Sequence, residues 1–126
     1  MELTPGDPDL VPVAESGDDS AASSAVLDAA DLFDPRAQSV LWHLLALPPD
    51  TVDRVLELVA QDGYERRPLS ADDRARECSA GSELVAVARV QTVDALHVSQ
   101  ERSRMAGVTA RHGGAVALWR VLQSRT

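Results

Sequence analysis

Three histidines, one cysteine and a dense polar run are the residues of this 126-residue chain with the means to do chemistry. His43, His97 and His112 lie far apart, and no His-x-x-x-His, Cys-x-x-Cys or His-Glu pair is present, so metal-ligand spacing is missing. No metal or cofactor is expected. His43, set in an apolar stretch, reads as a core-edge residue with a hydrogen-bonded ring. Cys78 stands in a polar stretch with no neighbour that would lower its thiol pKa, and it reads as incidental. Gly113-Gly114 follows a helical segment, where the carbonyl end of the dipole repels phosphate, so the pair reads as a helix cap. The run Gln100-Glu101-Arg102-Ser103-Arg104 reads first as a solvated helix face. Its functional reading is a recognition surface, which makes Gln100, Glu101, Arg102 and Arg104 candidate binding residues. Trp119 joins them as a large side chain in a ring-poor chain, expected to be buried or, failing that, a contact anchor. No catalytic constellation emerges, and the chain is expected not to be an enzyme.

The elements that must position these residues follow from periodicity. Val26, Leu27, Ala30 and Phe33 fall at helical spacing behind a Ser23 or Ser24 cap, and Asp34-Pro35 ends that run. Ser39 to Leu47 is apolar on both alternating faces and predicts a central strand, stopped by Pro48-Pro49. Asp50 stands at an N-cap position, Val52, Val55, Leu56 and Val59 form one stripe, and Gly63 sits where a helix closes. Tyr64 to Leu69 predicts an edge strand, since Pro68 has no amide for a central ladder. Ser70 to Ser82 reads as a loop. Glu83 to Thr92 alternates as a strand that Val93 and Leu96 would prolong, Ser99 caps a second helix ending at Gly113-Gly114, and Ala115 to Leu122 is the last strand. That order predicts an α+β fold, a ferredoxin-like βαββαβ sandwich with two helices on one sheet face. The second face is left for solvent, the preceding helix or a partner.

Charge is distributed unevenly. Residues 1–35 carry Glu2, Asp7, Asp9, Glu15, Asp18, Asp19, Asp28, Asp31 and Asp34 and no basic side chain, whereas the remainder sets eleven acids against twelve arginines. Residues 1–23, rich in Pro, Gly, Asp, Ser and Ala, predict a disordered acidic tail, with residues 24–126 as one domain that includes the short first helix. Deleting residues 1–22 is therefore expected to leave the domain folded. An acidic tail repels phosphates and favours basic protein surfaces, so the expected partner is a protein, or the tail itself, and not nucleic acid. A single cysteine, an acidic N-terminus unlike a signal peptide and the lack of a spanning apolar run predict a cytoplasmic protein with no membrane contact.

The last strand carries a resemblance. Gly113-Gly114, followed by Trp119 in register, resembles the Gly-Gly-x-Tyr-Asp-Gly-Trp ending of the ribonuclease E inhibitor family, the RraB-like regulators of RNase activity. Val116-Ala117-Leu118 stands where that family has Tyr-Asp-Gly. The Asp50 to Gly63 segment ending in Gly-Tyr-Glu and the apolar strand from Leu84 are similar to it too. The resemblance implies a ferredoxin-like fold and a non-catalytic regulatory protein that binds a ribonuclease and inhibits RNA cleavage. The alternative reading is a self-associating structural or assembly module, a homo-oligomer joined through a sheet edge or the uncovered face.

Overall fold

The computed structural model of the chain describes residues 3–76 and 80–124. Cys78 lies outside them. Five strands, β1 (Leu10–Ser16), β2 (Ser39–Leu47), β3 (Glu65–Arg67), β4 (Glu83–Gln91) and β5 (Ala115–Ser124), form one sheet in the order β1-β5-β2-β4-β3. Every neighbouring pair is antiparallel. The central place of β2 follows from its sequence, because a strand apolar on both faces is stable only when both are covered. The helices are α1 (Ser23–Ala29), α2 (Val52–Ala60), α3 (Ala71–Arg74) and α4 (Ala95–Arg111). Since β2 and β3 both run against β4, they are parallel to each other, and α2 crosses between them. In the same way α4 joins β4 to β5 around β2. The fold class is α+β, as the order of elements predicts.

Leu41, Leu45 and Leu47 of β2, with Val85, Val87 and Val121 of its neighbours, bury one face of the sheet against the helices. Val55 and Val59 of α2, Val98, Met105 and Val108 of α4, and Leu27 of α1 come from the helix side. The opposite face is not left open. Val40, Trp42, Leu44, Ala86, Ala88 and Leu118 lie there beneath Leu3, Leu10 and Leu69. Asp73 of α3, 1% exposed, takes two hydrogen bonds of 3.1 Å from the Arg120 guanidinium, which lies 4.1 Å over the Trp42 ring. This bidentate pair ties α3 down onto the sheet.

Several boundaries differ from expectation, each for a local reason. The segment expected to be disordered supplies β1, paired to β5 from Leu10↔Ser124 to Ser16↔Trp119, with Ala14 buried. Its few apolar side chains would not fold alone, but a strand edge already formed satisfies their backbone groups. At α1 neither Ser23 nor Ser24 is the cap; Ala22 occupies that position without a side-chain bond, and Ser23 is buried facing α4. Asp50 lies in a 3-10 turn, Pro49–Thr51, one step ahead of α2. The expected loop after β3 contains α3, capped by Ser70, whose hydroxyl accepts the Asp73 amide. Instead of prolonging β4, the chain turns at Asp94, which caps α4 by accepting the His97 amide at 2.8 Å, so Ser99 falls inside the helix.

The glycine pair does two jobs. Gly113 adopts φ 78°, closing α4 as expected, while a Cβ on Gly114 would collide with the Ala46 carbonyl and come within 2.8 Å of Leu47 Cδ2.

Candidate functional site

The polar run on α4 is divided among three surroundings. Val98, Glu101, Met105 and Val108 share the buried stripe of the helix, so Glu101, expected on a solvated face, is only 5% exposed. Its carboxylate is compensated there. Tyr64 donates its hydroxyl to Oε1 at 2.8 Å, Arg89 Nη2 approaches the same oxygen at 3.1 Å, and Arg104 Nε lies 3.7 Å from Oε2. The Arg89 guanidinium also covers the Tyr64 ring at 4.7 Å and donates to the Asp62 carbonyl, which fastens β4 to the end of α2. Arg104, more exposed, pairs with the Asp62 carboxylate at 2.8 Å, and Gln100 is exposed.

His43 completes the buried cluster, its Nε2 lying 3.4 Å from the Tyr64 hydroxyl oxygen. Because Tyr64 gives its proton to Glu101, its oxygen accepts from His43 Nε2–H, and Nδ1 keeps the lone pair. Burial, with the positive charges of Arg89 and Arg102, pushes the His43 pKa down to about 3, so the ring is neutral. Burial, together with the bond to Glu101, raises the Tyr64 hydroxyl above its ordinary value. His, Tyr, Glu and Arg in contact resemble an acid-base site by composition, yet none of these four lines either cleft described below. Their chemistry is spent on one another. His43 Nδ1 and, directly opposite it on β5, Trp119 Nε1 have no hydrogen-bond partner.

Arg102 turns the other way, into a groove of about 680 Å3 between α4, the start of β5 and residues 16–24. Its Nη1 donates to the Ala21 carbonyl at 2.9 Å and to Ser23 Oγ at 3.0 Å, and Nη2 lies 3.5 Å from the carbonyls of Asp18 and Asp19. The arginine thus meets the acidic segment through backbone oxygens, forming a strap over the groove. Its guanidinium also lies 5.5 Å from the centroid of Trp119, itself 2% exposed and lining the same groove. Two of the five sequence-chosen binding residues, Arg102 and Trp119, therefore meet at one concave surface. Gln100, Glu101 and Arg104 do not line it.

A second cleft, of about 520 Å3, was not anticipated from the sequence. Arg66, Arg67, Arg74 and Arg76 line it at the β3 edge, and the signal available was the clustering of those arginines in the chain. Three of them are committed to acids: Arg66 to Glu83 at 3.9 Å, Arg67 to Glu65 at 3.6 Å, and Arg76 to Asp73 at 3.3 Å. The remaining histidines have local partners. His97 Nδ1 is 2.8 Å from the carboxylate of its cap residue Asp94, and His112 Nδ1 donates to the Val108 carbonyl at 2.8 Å. Among the described residues no group of three or more His, Cys, Asp or Glu is placed to hold a metal ion, and no helix is long and apolar enough to cross a membrane. Comparison with family models, with curated proteins and with solved structures finds no match to this chain.

Proposed function

We propose that this chain is a non-catalytic regulatory protein of the cytoplasm that binds a protein partner at the groove between α4 and the strap. The observation that carries the reading is the convergence of Arg102 and Trp119 on that groove, beneath a rim drawn from the acidic first 35 residues. Arginine is among the residue types that dominate protein recognition, and Trp119, buried as expected, backs the groove wall and is no exposed contact anchor. The titratable groups that would otherwise suggest catalysis are buried in mutual hydrogen bonds, which supports a binding role. We read β2 through β5 as a ferredoxin-like unit, with β1 and α1 added to it. Together with the Gly113-Gly114 and Trp119 resemblance, this makes an RNase E-type ribonuclease the first partner to test.

Self-association has less support. The sheet face it would use is buried under Leu3 and Leu69, and the two outer strands carry the features that discourage edge pairing: Pro12 and Glu15 on β1, and only Glu65, Arg66 and Arg67 on β3. Calorimetric titration of an RNase E-type ribonuclease with the full chain, alongside an RNA cleavage assay, tests the proposal. Saturable heat with slower cleavage is expected. Absence of heat and unchanged cleavage at the highest soluble concentration would remove the ribonuclease as partner.

A further inference from the structure

The open edge of the sheet lies inside the groove. Pairing between β1 and β5 stops at Ser16↔Trp119, so on that side no described strand accompanies Ala115, Val116, Ala117 and Leu118. On the other side β2 pairs with Ala115, Val116 and Leu118, the ladder shifting register around Ala117. The chain leaves this edge at Gly17, where a Cβ would stand 3.2 Å from the Ala117 carbonyl oxygen. Exposed strand edges are ordinarily guarded by charge, proline or shortness, as both outer strands of this sheet are. Ala115–Leu118 carries no charge and no proline, and its protection is limited to its shortness, the shift at Ala117 and Gly17 beside the Ala117 carbonyl. Across the groove, Ser99, Ser103, Ala106 and Ala110 of α4 present short side chains, leaving room for a backbone and small substituents.

Two further observations bear on the occupant. Trp119, nearly wholly buried, stands where the groove meets β1 and forms part of its wall, so a strand laid along Ala115–Leu118 would run up to the indole. The strap brings exposed Asp18 and Asp19 to the rim, while Arg102, among the described residues the one cation lining the groove, is already held by backbone oxygens and Ser23. The Asp18 carboxyl, bonded by the Ser20 hydroxyl and amide, stays ionised below its ordinary range.

We infer that the groove accepts an extended, lysine- or arginine-bearing segment of a partner protein, which adds to β5 along Ala115–Leu118 as a new strand in line with β1. Main-chain bonds to the open edge supply the binding, small side chains face α4, and basic ones meet Asp18 and Asp19. This rests on the protein-partner reading and names its site and the chemistry of its ligand.

The test uses the full chain and the probe peptide acetyl-Arg-Val-Ala-Val-Ala-Val-Lys-amide, with a twin carrying Glu at both charged positions and a second twin N-methylated at alternate residues. The basic peptide is expected to bind at least about tenfold more tightly than either twin and to slow amide exchange at Ala115–Leu118. Ser103→Trp, at an exposed helix position facing the groove, should weaken it by roughly tenfold without altering thermal unfolding. Equal affinity for the N-methylated twin, unchanged exchange in that stretch, or no binding of the basic peptide would overturn strand addition. Asp18→Asn with Asp19→Asn keeps the charge argument separable, since loss of discrimination between the basic and acidic peptides is expected there. A ribonuclease bound equally by wild type and Ser103→Trp would overturn the groove while leaving the protein-partner reading intact.

Discussion

His43 holds a neutral ring inside the core, and that choice makes stability depend on pH. Its pKa falls from the ordinary 6.5 to about 3 on folding, so between those values the unfolded chain binds a proton the native chain does not. Stability from this residue is complete above pH 6.5 and declines as pH falls toward 3, at about 1.4 kcal/mol per pH unit within the window. Denaturant midpoints between pH 6.5 and 5, above the main carboxylate range, should therefore fall for the wild type and flatten for His43→Leu. Equal slopes would mean that the ring is not excluded from protonation in the fold. Glu101 makes the second residue-scale prediction. Glu101→Ala removes the carboxylate that Arg89 and the Tyr64 hydroxyl share, Arg89 keeping only the Asp62 carbonyl and Gln91, and should cost about 2 kcal/mol in chemical denaturation. A loss under about 0.5 kcal/mol is what a solvated helix position would give. The polar run hid this role because His43 and Arg89 come from β2 and β4 and Tyr64 from the turn before β3. The legible signal was spacing: Glu101 follows Val98 by three residues and precedes Met105 by four, on the apolar stripe.

At the scale of elements, β2, β4, β5 and α2 were readable because their apolar periodicities are strong and bounded by Pro48-Pro49, Gly63 and Gly113-Gly114, whereas β3, expected over Tyr64 to Leu69, is only Glu65–Arg67 and has no apolar residue. The start of α4 was not. Val93 and Leu96 continue the apolar character of β4, and only the tertiary turn at Asp94 separates strand from helix. Asp94→Ala should lower stability by about 1 kcal/mol through loss of the cap, measured by thermal or urea unfolding. Ser99→Ala, inside the helix, removes only a hydroxyl contact to Ser23 and should cost less. The reverse ranking would restore Ser99 as the cap. α1 was legible at its start but not in its end or purpose: it stops at Ala29, leaving Phe33 outside the helix expected to reach Asp34-Pro35, and Ser23, which looks like a cap in sequence, serves instead as an acceptor for Arg102.

The whole molecule joins two unlike parts: an almost neutral α+β unit, and an acidic first segment that adds β1, the strap and α1 to it. Composition reported the acidity of that segment correctly and its order wrongly, because pairing with β5 and packing of Leu3 and Leu10 are gains visible only once the sheet exists. Deleting residues 1–22 should accordingly lower the melting temperature by more than about 4 °C, the shift that roughly 1 kcal/mol gives in a domain of this size. An unchanged melting curve would show that the segment contributes nothing to the core. The groove itself was legible only as scattered residues, since its walls come from residues 16–24, 95–110 and 114–119, and no local pattern announces that juxtaposition.

The most direct test of the binding role is the emission of Trp119. In a Trp42→Phe variant it is the sole tryptophan, and its burial predicts short-wavelength emission in the native state. Titration with the basic strand peptide should change that emission saturably, with a midpoint matching calorimetry, while the acidic twin leaves it unchanged. Emission that stays fixed while calorimetry reports saturable binding would place the partner elsewhere on the surface and contradict the groove as the functional site.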